Sequence, residues 1–257
     1  MAEEHNPFQS PESLSAPAYL VPEGLVRRRG RPFASGRARA IFTMIALGII
    51  ALFDVGSICL DCFYYKTIVG VQHGEEFYFS KPTLERFSRF AEIKAAVEIA
   101  TVIIYSFWIH RAYRNLPALG NPVPSATPAW AVGSYFVPVV NFFIPYTIMA
   151  EIWRYSDPAQ LGVIRKTTSR LVGAWWGMFW GPVIPMAGMF IMLLMTRSHA
   201  LIDEIEIESL WSIGVPIANL AAAILAIVLV YSIDKNQRIS NDLIEAQHMA
   251  RHEAAVS

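Results

Sequence analysis

Asp54, Lys94 and Glu98 are ionisable residues set inside two long apolar stretches, IFTMIALGIIALFDVGSICLDCF (Ile41–Phe63) and AEIKAAVEIATVIIYSFWIH (Ala91–His110). If the stretches are antiparallel helices, Asp54 and Glu98 lie at similar depth, with Lys94 one turn from Glu98 and able to pair with either. Ionisable residues within a bilayer are rare and costly, and mark ion or proton paths by default. The plainer reading is a Lys94–Glu98 pair near the headgroups, with a protonated Asp54 bonded to a neighbouring helix.

Other reactive types carry less. Cys59 and Cys62 form CLDC, but an activated thiolate favours a helix N-terminus. Here both fall at a helix C-terminus, where the dipole disfavours the thiolate. Small buried residues or a passive disulfide are the expected roles. Of the histidines only His110 lies at the end of an apolar stretch, beside Arg111 and Arg114. This leaves no pair for haem, and no ligand spacing suits zinc. The motifs G-x-x-x-x-G-K-S/T, H-E-x-x-H and G-x-S-x-G are absent. No metal, cofactor or catalytic residue is implied.

The elements that position these residues follow from composition. Hydrophobic residues make up 54% of the 257 and charged ones 16%, against about 25% charged in soluble domains. The expected fold is an all-α polytopic membrane bundle. Its domains are a polar, basic, disordered tail (1–40), a membrane domain (41–233) and an amphipathic tail (234–257). A spanning helix needs about 20 apolar residues. Stretches 41–63, 91–110, 171–195 and 211–233 qualify. Ser80 and Pro82 suit a helix start, so the second helix is expected to begin before its span. Segment 129–153 is apolar but interrupted by Pro138, Asn141 and Pro145. Its pieces Ala129–Val137 and Phe142–Trp153 reach only about 13 and 18 Å as helices.

Lys and Arg near spans are retained on the cytoplasmic side. With four crossings and a cytoplasmic N-terminus, 15 basic residues fall inside and 6 outside; a fifth crossing by 129–153 makes the split 9 against 12. Four crossings are therefore expected, with both termini cytoplasmic. The broken segment then re-enters from that side or lies in the interface, and exposed backbone at depth must be covered by protein or face a cavity.

The runs RAYRNLPAL (Arg111–Leu119), FVPVVN (Phe136–Asn141) and EIWRYSDP (Glu151–Pro158), with Trp130, Gly133 and Pro145, carry a resemblance. Over roughly Ile41 to Arg238 the chain resembles the integral-membrane family catalogued as domain of unknown function 4328 (DUF4328). The resemblance implies a bacterial multi-pass protein of the cytoplasmic membrane, and brings no substrate, cofactor or catalytic residue.

Gly173, Gly177 and Gly181 repeat every four residues, as do Gly214, Ala218, Ala222 and Ala226. Such stripes let membrane helices approach closely, so the third and fourth spans are expected to pack through them, with a homo-oligomer as the competing use. Six tryptophans, Trp108, Trp130, Trp153, Trp175, Trp176 and Trp211, read as an interfacial belt, and Trp180 as a bundle residue. The expected function is non-catalytic interaction at a membrane, with anionic headgroups at the cytoplasmic face as partners and no nucleic acid. The alternative is a small oligomeric ion- or proton-coupled transporter or channel using Asp54 and Glu98.

Overall fold

The computed structural model describes residues 32–73, 80–120, 124–161, 169–181, 183–184 and 201–257, with side chains at 68, 71–72, 160 and 201–212 left aside. The tail before residue 32, and the span expected at 171–195 beyond residue 184, lie outside the described residues.

Every described element is helical: α1 (Arg37–Gln72), α2 (Lys81–Arg114), α3 (Pro128–Gly133), α4 (Ile144–Ser156), α5 (Arg170–Trp180) and α6 (Leu201–Val256), with 3-10 turns at Leu116–Leu119, Val140–Phe142 and Pro158–Gln160. The α2 start lies where Ser80 and Pro82 put it. Ser80 is extended at the N-cap, its hydroxyl 2.8 Å from Thr83 Oγ1. The helix then runs unbroken for 34 residues to Arg114. Leu116–Leu119 turns the chain aside, and Gly120 closes that turn at φ 99°, a conformation that favours glycine. Thr127 caps α3 by accepting from Trp130 N–H, Asp157 accepts from Ala159 N–H, and Ser169 caps α5 through Val172 N–H.

Among the described residues two helices, over Arg37–Thr67 and Ile213–Val256, are long and apolar enough to cross a membrane. In α2, Glu92, Lys94 and Glu98 interrupt the apolar stretch. The described part of the third expected span, α5, is 11 residues or about 17 Å long. The expectation of four crossings is not supported: the described residues are all helical and hold two such helices. The last helix, α6, begins at Leu201 rather than at the expected Trp211 and takes in the acidic run Asp203–Glu208. No Gly or Pro lies between Leu201 and Ile213, and Leu, Ile and Glu sustain a helix.

Helix α1 is antiparallel to both α2 and α6. Its first residues meet α2 and α6 near Arg111 and Asp234, since a Cβ on Gly36 would lie 3.5 Å from Arg111 Cγ and 4.0 Å from Asp234 Oδ1. Further along, Leu47, Ile50 and Asp54 line a cavity with Glu98, Thr101, Asn219 and Ala226. We call the Arg111–Asp234 end the basic end, after Arg37, Arg39, Arg111 and Arg114. The core lies toward it: Ala40 and Leu47, Trp108 to Tyr113, Ile148, Met149 and Ile152, Val172 and Trp175, and Ala226 to Ile233. In α4 the buried positions 145, 148, 149, 152 and 156 form one helical stripe. The outer surface is apolar as well: Phe42, Ile45 and Leu52 of α1, Ile99, Ile103 and Phe107 of α2, and Ile217 and Ile224 of α6 are exposed.

Candidate functional site

The three ionisable residues converge. Lys94 Nζ lies 2.9 Å from Asp54 Oδ1 and 3.6 Å from Glu98 Oε1. The Asp54 side chain is 1% exposed, Lys94 18% and Glu98 46%. Helical spacing puts Lys94 and Glu98 on one face of α2, and the antiparallel α1 brings Asp54 to that level. The buried carboxyl group thereby lies directly against an amine. Asp54 Oδ2 makes no hydrogen bond among the described residues.

Beside the triad is a cavity of about 330 Å³ walled by α1, α2, α5 and α6 and by Tyr135, which follows α3. Asp54, Glu98, Thr101, Ser106 and Asn219 supply its polar atoms; Tyr105, Trp175, Trp176 and Phe179 supply its aromatic wall. Tyr135 and Tyr105 meet edge to face at 6.3 Å, and Tyr135 Oη is buried without a hydrogen bond of ordinary geometry. Among Pro138, Asn141 and Pro145 none lines this cavity. The broken segment reaches it through Tyr135.

That segment does break where its prolines lie, as α3, the 3-10 turn Val140–Phe142 and α4. Its hinge is Val139, at φ 67° and ψ −49°, with Val140 N–H donating to Pro138 O at 2.8 Å. This is the rare positive-φ form of the γ-turn, strained for a β-branched residue. Asn141 Oδ1 and Trp180 Nε1 are buried there without partners among the described residues. The Trp180 and Phe142 rings meet at 4.2 Å, tilted by 34°, and Trp176 Nε1–H donates to Phe142 O at 3.3 Å.

Both ends of the segment are tied to the basic end. At its start, Ser125 N–H donates to Glu151 Oε1 at 3.0 Å, and Ser125 Oγ contacts Glu151 Oε2. Tyr113 Oη–H donates to Glu151 Oε2 at 2.9 Å and accepts from Ala126 N–H at 2.8 Å. Burial, then the Glu151 carboxylate, against opposing hydrogen bonds from Ser125 and Ala126, pushes the Tyr113 pKa up to about 12. At its end, Gln237 Nε2–H donates to Ser156 Oγ (3.1 Å) and Ala112 O (3.0 Å), and Ser240 Oγ–H donates to Ser156 O at 3.0 Å. Asn115 Nδ2–H bridges Gln237 Oε1 and Ala34 O, each at 3.1 Å. One buried network thus joins the approach to α1, the end of α2, the end of α4 and α6. Sequence reasoning gave Gln237, Asn115 and Glu151 no role of their own: Asn115 and Glu151 stand only as members of the runs RAYRNLPAL and EIWRYSDP, and Gln237 lies in a polar run, DKNQR, that singles out none of its residues.

The basic end gathers several arginines. Arg111 Nε–H donates to Ala34 O at 3.0 Å. Burial, then the nearby guanidinium groups of Arg39 and Arg114, lowers the Arg111 pKa from its usual value. The same three arginines act electrostatically on His110. None of the three is in a salt bridge among the described residues, whereas Arg238 is held by Asp234 at 3.1 Å. From His110 an apolar groove of about 800 Å³ runs between α2 and α3 to Glu98, walled by Ile99, Ile103, Phe107, Val132 and Phe136.

Three expectations are corrected. Cys59 and Cys62 are free and exposed, because the buried face of α1 passes through Ala40, Leu47 and Asp54. α5 and α6 do pack, but not through glycine: a Cβ on Gly173, Gly177 or Gly214 meets nothing within 4 Å among the described residues, and on Gly181 only its own chain at Gly177. Val172 and Trp175 turn inward instead, into one core with Ala226. Ala222 is buried and Ala218 half-buried. Of the tryptophan belt, Trp108 and Trp175 are core residues, while Trp130 is exposed.

A bundle of apolar outer surface, with a broken segment pinned at one end, defines the class. The chain belongs to the family described as Domain of unknown function (DUF4328), which matches residues 84–235, from α2 into α6. The match is narrower than the resemblance suggested, since α1 and with it Asp54 lie outside it. No curated protein and no solved structure matches the chain.

Proposed function

We propose that the chain is a non-catalytic multi-pass protein of a bacterial cytoplasmic membrane, with both termini cytoplasmic, which works by gathering anionic lipids at its basic end. The observation that carries this is the cluster of Arg39, Arg111 and Arg114 around His110, none of them in a salt bridge among the described residues. Each Lys or Arg near an anionic leaflet contributes about 1 kcal/mol of attraction. The return of segment 125–156 to the end it left supports re-entry rather than a fifth crossing. From Tyr113 to Tyr105, the level of the cavity, is about 12 Å along α2, within one leaflet.

Two experiments test this reading. In mild detergent, phosphatidylglycerol should raise the melting temperature more than phosphatidylcholine, and salt should erase the difference; equal effects would overturn the lipid reading. For topology, single cysteines are placed in a background lacking Cys59 and Cys62. Ser80→Cys should react with an impermeant reagent from outside, while Ala159→Cys and Ser257→Cys stay unlabelled in sealed cells. Labelling of the latter two would establish five crossings.

The cavity beside Asp54 favours a second reading, a transporter or channel built as an oligomer. Proton or cation flux in liposomes that falls in Asp54→Asn and Glu98→Gln would support it, and its absence in the unaltered protein would end it. The 2.9 Å Lys94–Asp54 pair weighs against it, since a paired carboxylate is not a vacant cation site.

A further inference from the structure

The groove between α2 and α3 is a different feature from the surface charge, and the two meet at His110. We infer that the groove holds one acyl chain of an anionic phospholipid whose phosphate is clasped by Arg39, Arg111 and Arg114. This rests on the lipid reading above and adds a defined seat to it.

The argument has three parts. The groove is two-walled: Ile99, Ile103 and Phe107 stand on α2, and Ala129, Val132 and Phe136 face them from α3 and the turn after it. A chain lying there is held on two sides, unlike one sliding over a single helix. Its dimensions fit. From His110 to Glu98 α2 rises about 18 Å, close to the half-thickness of a hydrocarbon core, about 15 Å. The cavity of about 800 Å³ lies within the range of ligand sites, roughly 300–1,000 Å³. Charge complementarity then sets the occupant. The open end carries three guanidinium groups that make no salt bridge among the described residues, the nearby Asp234 carboxylate being held by Arg238. At the far end the Glu98 carboxylate is drawn toward Lys94, 3.6 Å away, so the chain terminus meets mainly Ala95, Ile99 and Val102. Arginine forks suit a phosphate diester, and a zwitterionic headgroup would bring a cation into the same cluster.

The test counts lipids retained by the purified full-length chain in native mass spectra. The probes are dioleoyl phosphatidylglycerol, phosphatidylcholine of the same chains, and glycerol 3-phosphate as headgroup alone. One phosphatidylglycerol per chain should survive, with phosphatidylcholine and glycerol 3-phosphate bound at least tenfold more weakly. Ile103→Trp, which fills the groove from a residue already 52% exposed, should weaken phosphatidylglycerol at least tenfold without lowering the melting temperature. Arg39→Gln with Arg114→Gln should do the same. If Ile103→Trp binds phosphatidylglycerol as tightly as the unaltered chain, the groove site is refuted while the surface preference stands. If the unaltered chain does not distinguish the two lipids, both readings fail. Should Ile103→Trp misfold, a phosphatidylglycerol with a photoreactive group near one chain terminus decides on the unaltered protein. Adducts confined to Ala95–Ile103 support the seat, and adducts spread over α1 and α6 refute it.

Discussion

Lys94 Nζ approaches Asp54 Oδ1 to 2.9 Å across the α1–α2 seam, with the Asp54 side chain 1% exposed. Removing one partner of a buried pair leaves an uncompensated charge and costs about 3–5 kcal/mol, whereas removing both is often nearly neutral. Lys94→Met should therefore lower the melting temperature in detergent sharply, and the double variant Asp54→Asn/Lys94→Met should recover most of the loss. Equal melting of the single and double variants would show that the pair does not hold the seam.

The Gln237 amide fixes α6 to Ser156, Ala112 and Asn115. Gln237→Leu leaves those buried partners unsatisfied, at about 1–3 kcal/mol for each group stranded. Hydrogen exchange should rise at the end of α4 and at Ala34, with little change near Asp54. Uniform loss of protection would indicate collapse of the bundle instead.

Tyr113 gives a pH dependence of known sign. An unperturbed tyrosine titrates near about 10, and in the fold burial and Glu151 push this hydroxyl up to about 12. Its contribution to stability is complete below the lower value and is lost as pH rises through the higher one. Melting temperature should fall between pH values of about 10 and 12, and Tyr113→Phe should be less stable at neutral pH but lack that component of the fall.

Val139 holds φ 67° while 69% exposed. A strained backbone of this kind costs about 1–3 kcal/mol, and little burial is lost on removing the side chain. Val139→Gly should raise the melting temperature, and Val139→Ile should not. A drop on Val139→Gly would mean that backbone freedom in the unfolded chain outweighs the relieved strain.

Local rules carried far in this chain. The Ser80 and Pro82 start of α2, the interruption between Pro138 and Pro145, and the level shared by Asp54, Lys94 and Glu98 all follow from spacing along helices. What could not be read are partners far apart in sequence. Asn115 and Gln237 lie 122 residues apart, and nothing in either neighbourhood names the other. Periodicity showed that Gly173, Gly177 and Gly181 share a face, but not what that face meets. The same limit applied to Cys59 and Cys62, where small size suggested burial and the rotation of α1 turned them outward. Backbone between Pro138 and Pro145 was expected to meet protein or a cavity, and the cavity beside Asp54 meets the segment at Tyr135 instead, ahead of the γ-turn at Val139.

The 56-residue α6 has a mechanical consequence. Gln237 and Ser240 grip Ser156 near the base of its final stretch, and from Gln237 to Val256 the helix extends about 28 Å. A sideways load at the C-terminus therefore falls, at the base of that arm, on the two hydrogen bonds to Ser156, the last residue of α4.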